Sequence, residues 1–169
     1  VTKMPRFPFD KFTTASNRLS TQMKATGEVM SVGRTLEESL LKAIRSLENS
    51  KNHIHMEKFD SDHMTAEQLL DYIKEGTDDR IYAISQLMWM GVDHSRICNI
   101  TQIDMFFLDK IKNIVDFEKE MEANPDSPEL MKAAKKMGFS DSYIAELWHT
   151  AEDDIYERRI KEGLFPVYK

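Results

Sequence analysis

The chain has 169 residues with 29 acidic and 23 basic side chains, a formal charge of −6, and 41% of its residues are apolar. That is enough apolar material for a buried core, and the lack of any apolar run near ~18 residues excludes a membrane-spanning helix. The acidic balance, with no cluster of Lys and Arg, excludes nucleic acid as a primary partner, because phosphate contacts need concentrated positive charge.

Cys98 is the single cysteine, so there is no internal disulfide and no cysteine-based zinc site, which fits a reducing, cytoplasmic compartment. Val1 to Pro8 has neither the apolar stretch of a signal peptide nor the pattern of a transit peptide, and the missing initiator Met leads us to expect a segment of a longer chain. Residues 1–50 carry a balance of +3 and residues 51–169 a balance of −9, a shift that marks a domain boundary near residue 50. Eleven Met residues are many for this length; flexible thioethers fill irregular helical cores or adaptable contact surfaces, and core filling is the expectation here.

From the N-terminus, Phe7, Phe9 and Phe12 sit in a Pro-containing segment without periodicity, which reads as an extended arm docked onto something. Lys24 to Arg34 has two glycines around a β-tolerant stretch and predicts one strand. Thr35-Leu36-Glu37-Glu38 has capping-box spacing, and Leu36, Leu40, Leu41, Ala43, Ile44 and Leu47 give a helical apolar stripe ending near Asn49-Ser50. Lys51 to Met64 lacks periodicity and reads as a polar connector.

Thr65-Ala66-Glu67-Gln68 is a second capping box, opening a helix through about Lys74. Asp78-Asp79 places negative charge at the start of the next helix, whose stripe is Ile81, Ile84, Leu87 and Met88, with Gly91 as its stop. After a short helix over Ser95 to Ile100, Thr101 is expected to cap a long one to about Ala123, roughly 33 Å at ~1.5 Å per residue, carrying Ile103, Phe106, Phe107, Ile111, Ile114, Val115 and Glu118. Asn124 to Pro128 breaks it. Short helices follow up to Gly138, from Ser140 through Leu147, and from Thr150 through Ile160, before an extended end over residues 163–169.

Met90-Gly91-Val92-Asp93 to Ile100 aligns with Met137-Gly138-Phe139-Ser140 to Leu147 without gaps at an offset of 47. In both, a helix stops at a glycine, an apolar residue follows and a polar cap starts a new helix. Two copies predict a duplicated helical hairpin rather than an open solenoid.

Residue chemistry assigns no active site. His53, His55, Asp60, Asp62 and His63 could supply metal ligands, but their spacing matches no helical His-Glu-x-x-His or EF-hand pattern, and a polar connector collects such residues anyway. His94 and His149 fall in the repeat turns, and Cys98 lies on an inward stripe as an inert buried thiol. Gly27 to Gly33 lacks the Gly-Lys-Ser/Thr ending of a phosphate loop, and Glu37-Glu38, Asp78-Asp79 and Asp153-Asp154 are explained by first-turn dipole effects. No catalytic, cofactor or metal residue is assigned.

Whole segments carry more. Thr2 to Phe7 and Asn17-Arg18-Leu19-Ser20-Thr21-Gln22-Met23-Lys24-Ala25-Thr26-Gly27-Glu28-Val29-Met30 through Thr35 resemble the large chain of carbamoyl-phosphate synthase where its first ATP-grasp half, the carboxyphosphate unit, closes. Asp79-Arg80-Ile81, Asn99 to Asp104, Phe107-Leu108, Lys136 to Asp141 and Pro166-Val167-Tyr168-Lys169 resemble the helical oligomerisation domain that follows.

The resemblance implies residues 1–50 from the end of the carboxyphosphate half and residues 51–169 as the helical oligomerisation, or connection, domain. The implied fold is mainly α: two similar all-α subdomains, preceded by a short extended or β segment and a helix. It implies a parent ligase, of arginine and pyrimidine synthesis, that makes carbamoyl phosphate from bicarbonate, two ATP and ammonia from a glutaminase small chain. ATP and magnesium or manganese would be handled outside these residues, so the segment alone is expected to be inactive. Met23 and Thr26 are the implied lining of the carbamate passage. Self-association is implied too, and Trp89, Met90, Met105, Phe106 and Phe107 are more apolar surface than short helices readily hide, Phe107 being the easiest to place in a core. The first four are the expected contact surface. Two other readings stand beside this: a free-standing helical adaptor, since Gly138-Phe139-Ser140 with Ile144-Ala145 is similar to small three-helix recognition domains, and a metal-dependent enzyme using the His53 to His63 connector.

Overall fold

A computed structural model of the chain describes residues 1–9, 11–47, 49 and 51–166. A strand precedes the Phe7 to Phe12 arm. β1 (Thr2–Arg6) pairs antiparallel with β2 (Gly27–Ser31), Thr2 opposite Ser31 and Arg6 opposite Gly27. The one strand expected over 24–34 thus acquires a partner that the prolines Pro5 and Pro8 had disguised. Pro5 is tolerated because a two-stranded ribbon has only edges.

α1 (Leu36–Ser46) packs its inner face on this ribbon and, on its other side, on the helical body, so the hydrophobic core runs without a break across residue 50. Thr35 accepts from the Glu38 amide as the capping box requires, but the Glu38 carboxylate reaches the amide of Arg34 at 2.7 Å rather than that of the cap. The connector then brings His53 and Ile54 into the core and forms a short 3-10 turn (Glu57–Phe59) that buries Phe59.

α2 (Ala66–Tyr72) has the full reciprocal box, with Thr65 and Gln68 satisfying each other's amides. α3 (Arg80–Trp89), α4 (His94–Thr101), α5 (Met105–Ala123), α6 (Pro128–Met137), α7 (Asp141–Leu147) and α8 (Glu152–Lys161) complete the body. Thr101 ends α4 instead of opening α5. Gln102 turns left-handed at φ 57°, Asp104 caps α5 through the Phe106 amide at 2.8 Å, and α5 is about 28 Å long. Phe106 and Phe107 fall in the first turn of α5 and are exposed, ahead of the inward stripe Leu108, Ile111, Ile114 and Val115, Glu118 and Met121. Similarly, Ala151 rather than Thr150 precedes α8, while Thr150 donates to Asp154 at 2.8 Å.

The offset of 47 extends beyond a hairpin to three helices. The starts of α4 and α7 (94, 141) and of α5 and α8 (105, 152) obey it, and so do the left-handed residues Gly91 and Gly138, and Gln102 and His149. Both glycine turns close through the same backbone bond, Val92 to Leu87 and Phe139 to Ala134. Ile97 and Ile144, and Leu108 and Ile155, are each wholly buried. The methionines behave as core filler: only Met23 and Met30 of the eleven are exposed. Of the final motif Pro166-Val167-Tyr168-Lys169, the last three residues lie outside the described residues.

Candidate functional site

The polar connector does not stay at the surface. His53 is 2% exposed, and Glu118, the one acid on the inward stripe of α5, is 0% exposed. Glu118 lies between two imidazoles: His53 Nδ1 is 2.6 Å from Oε1 and His55 Nε2 is 2.8 Å from Oε2. The His55 pair is a hydrogen bond, whereas the His53 contact is out of line, leaving Glu118 Oε1 and both His53 ring nitrogens buried without an aligned bond. Tyr143 of α7 stacks on His53 at 3.7 Å, and Trp89 of α3 meets His55 edge-on at 5.6 Å.

Burial alone would raise the Glu118 carboxyl, but the two histidines outweigh it and hold it down at about 2, so it stays ionised. Burial lowers the His53 imidazole, while at His55 the bond to Glu118 overcomes burial and raises it. Asp62 and His63, expected beside these histidines, are exposed, and His149 is exposed in its turn. A cleft of about 390 Å³ opens beside His55, and Trp89, Asp60, Asp62, Glu122 and Glu146 line it.

A second acidic centre ties elements together. Asp79 is 6% exposed; it makes no cap bond and instead accepts from Tyr72 at 2.7 Å and pairs with Lys58. Dipole compensation therefore does not account for it, nor for Glu37, which is buried on α1 and reaches Asn113 at 3.0 Å and Lys110 at 3.3 Å on α5.

The apolar surface lies elsewhere. Phe106 is 55% and Phe107 50% exposed, with ring centroids 5.4 Å apart and edge to face. Phe107, expected to be the easiest of the five to place in a core, is exposed instead. Lys110 lies over Phe106 at 5.7 Å.

A family model for the carbamoyl-phosphate synthetase large chain, oligomerisation domain, matches residues 28–163. The chain belongs to this family. Every helix of the body, and the three-helix duplication, falls within the matched span. Of the expected contact residues of this oligomerisation domain, Phe106 is exposed, Met105 and Met90 are half-buried, and Trp89 is half-buried in the His55 cleft under Lys119. Met23 and Thr26 precede the matched span. Met23 is 87% exposed and, with Thr26, Phe9, Phe12 and Lys24, lines a groove of about 670 Å³ beside the β-ribbon. Cys98 is free and half-buried, less enclosed than expected. Among the described residues no helix is long and apolar enough to cross a membrane.

Glu118 was the residue that sequence reasoning left unused. Its signal was present: an acid in register with Ile111, Ile114 and Val115 must be buried, and a buried carboxylate needs partners.

Proposed function

We propose that this chain joins the two ATP-grasp halves of a carbamoyl-phosphate synthase large chain and carries the surface through which that chain self-associates. The observation that carries the reading is the half-exposed Phe106–Phe107 pair in the first turn of α5, in a chain whose family is an oligomerisation domain. Two adjacent aromatic rings facing water are a costly surface for a monomer and the usual anchor of an interface. Met105 adjoins the pair in the same turn, whereas the other expected contacts, Met90 and Trp89, lie at the end of α3, where His55 and Lys119 already engage Trp89.

Residues 1–50 close the carboxyphosphate half and 51–169 form the connection, with α1 packed on both sides as the shared element. The groove with Phe9, Phe12 and Met23 is the docking face for the rest of that half, and Met23 and Thr26 line the carbamate passage. The parent polypeptide makes carbamoyl phosphate from bicarbonate, glutamine-derived ammonia and two ATP in the cytoplasm. ATP, magnesium or manganese, and the glutaminase small chain engage other parts of it.

The test is an F106E/F107E variant of the full-length large chain, sized by light scattering. The mass is expected to fall to that of a lower oligomer with synthase activity retained at saturating substrate. An unchanged mass overturns the assignment of this surface.

A further inference from the structure

His53 and His55 come from the connector and Glu118 from α5, 63 residues beyond His55, and their ligand atoms all lie within 4.8 Å of one another. We propose that these three side chains form a site for one divalent transition-metal cation that favours imidazole, zinc being the fit, entered through the acidic cleft beside His55. The role goes beyond self-association, and none of its three ligands belongs to that surface.

Three observations carry it. The donor set is two imidazoles and one carboxylate, the composition of three-ligand zinc sites that keep a fourth position open, and imidazole nitrogen selects zinc, cobalt or nickel over magnesium and calcium. The site also contains buried polar atoms that the protein leaves unmatched: Glu118 Oε1 and both ring nitrogens of His53 have no aligned hydrogen bond. A buried carboxylate oxygen without an aligned donor calls for a partner, and a bound divalent ion supplies one. Finally there is an entry path. The His55 side chain is 25% exposed at the cleft, where Asp60, Asp62, Glu122 and Glu146 concentrate cations.

The present nitrogen–oxygen separations of 2.6 and 2.8 Å are hydrogen-bond contacts. Ligands around a tetrahedral zinc stand about 3.3 Å apart, so loading requires the rings to open by about half an ångström. His53 is packed on Tyr143 at 3.7 Å and Phe139 at 4.8 Å, so His55, whose side chain is 25% exposed, is the ring with room to adjust. A loaded ion ties the connector to α5 and thereby stabilises the body by mass action.

The experiment titrates chelator-stripped 169-residue chain with Co²⁺, read by visible absorption, and then with Zn²⁺ by calorimetry, with Mg²⁺ as the control. The expected result is one Co²⁺ per chain with a ligand-field spectrum of nitrogen and oxygen ligation, displacement by Zn²⁺, and a Kd below about 10 µM. H55A, whose fold is checked by circular dichroism, should weaken uptake at least ten-fold, and H63A should leave it unchanged. Absence of saturable one-to-one uptake by the wild type, or uptake equally strong in folded H55A, overturns the site and leaves the trio as an ion-pair lock.

Discussion

At Asp79, one buried carboxylate holds three elements: Tyr72 ends α2, Lys58 belongs to the 3-10 turn, and Asp79 itself precedes α3. Burial alone would raise this carboxyl, but the bonds from Lys58 and Tyr72 outweigh burial and hold it below its ordinary value of 3.8. A group lowered on folding contributes stability that is present above the unfolded value and is lost as pH falls through the folded one, so the Asp79 contribution should fade below about pH 4. D79N is expected to destabilise the chain at pH 7 by about 1–3 kcal/mol, since a half-buried Tyr72 hydroxyl loses an ionised acceptor. Urea titrations at pH 7 and pH 3.5 measure it, and the wild-type advantage should shrink at the lower pH. An equal advantage at both would contradict the assignment. The role of Asp79 was only half legible in the sequence. The Asp78-Asp79 pair marked a helix start, but its partner Lys58 is 21 residues away across a connector with no periodicity. Glu118 was legible in its burial and illegible in its partners for the same reason.

Helix caps and glycine turns follow local chemistry, and here the sequence was read most fully. The Thr65 box, the Ser140 cap and the stops at Gly91 and Gly138 are where the spacing puts them. At α5 the expected cap, Thr101, competes with Asp104. Thr101 lies three residues before Asp104, and the left-handed Gln102 decides between them. T65A should cost about 1 kcal/mol by removing the acceptor for the Gln68 amide. The equivalent glycines separate backbone strain from packing. At Gly91 (φ 84°) a Cβ meets nothing within 4 Å, so G91A pays only the left-handed penalty, about 1 kcal/mol. At Gly138 (φ 99°) the same atom falls 3.2 Å from the Glu38 backbone, and G138A should cost about 2–3 kcal/mol. Chemical denaturation of the pair checks the order. Equal losses would mean that α1 yields freely at the Gly138 turn.

For the whole molecule, the 47-residue repeat was visible as two glycine turns in sequence, while its third helix emerged only once the starts at 105 and 152 could be compared. The inward residues differ in type across that stretch, Leu108 against Ile155, and α5 outruns α8 by nine residues. The β-ribbon escaped because strand pairing joins residues far apart, Thr2 with Ser31, and a Pro-bearing arm carries no period. Duplication builds a body with one continuous core and leaves Phe106 and Phe107 outside it. If those rings anchor an interface, F106A should weaken self-association by about 2 kcal/mol, near thirty-fold in Kd. Sedimentation equilibrium of the 169-residue chain over a wide concentration range asks the central question directly. A reversible oligomer that F106A shifts toward monomer is the predicted result. A wild-type chain that remains strictly monomeric to about 100 µM would contradict self-association through this domain.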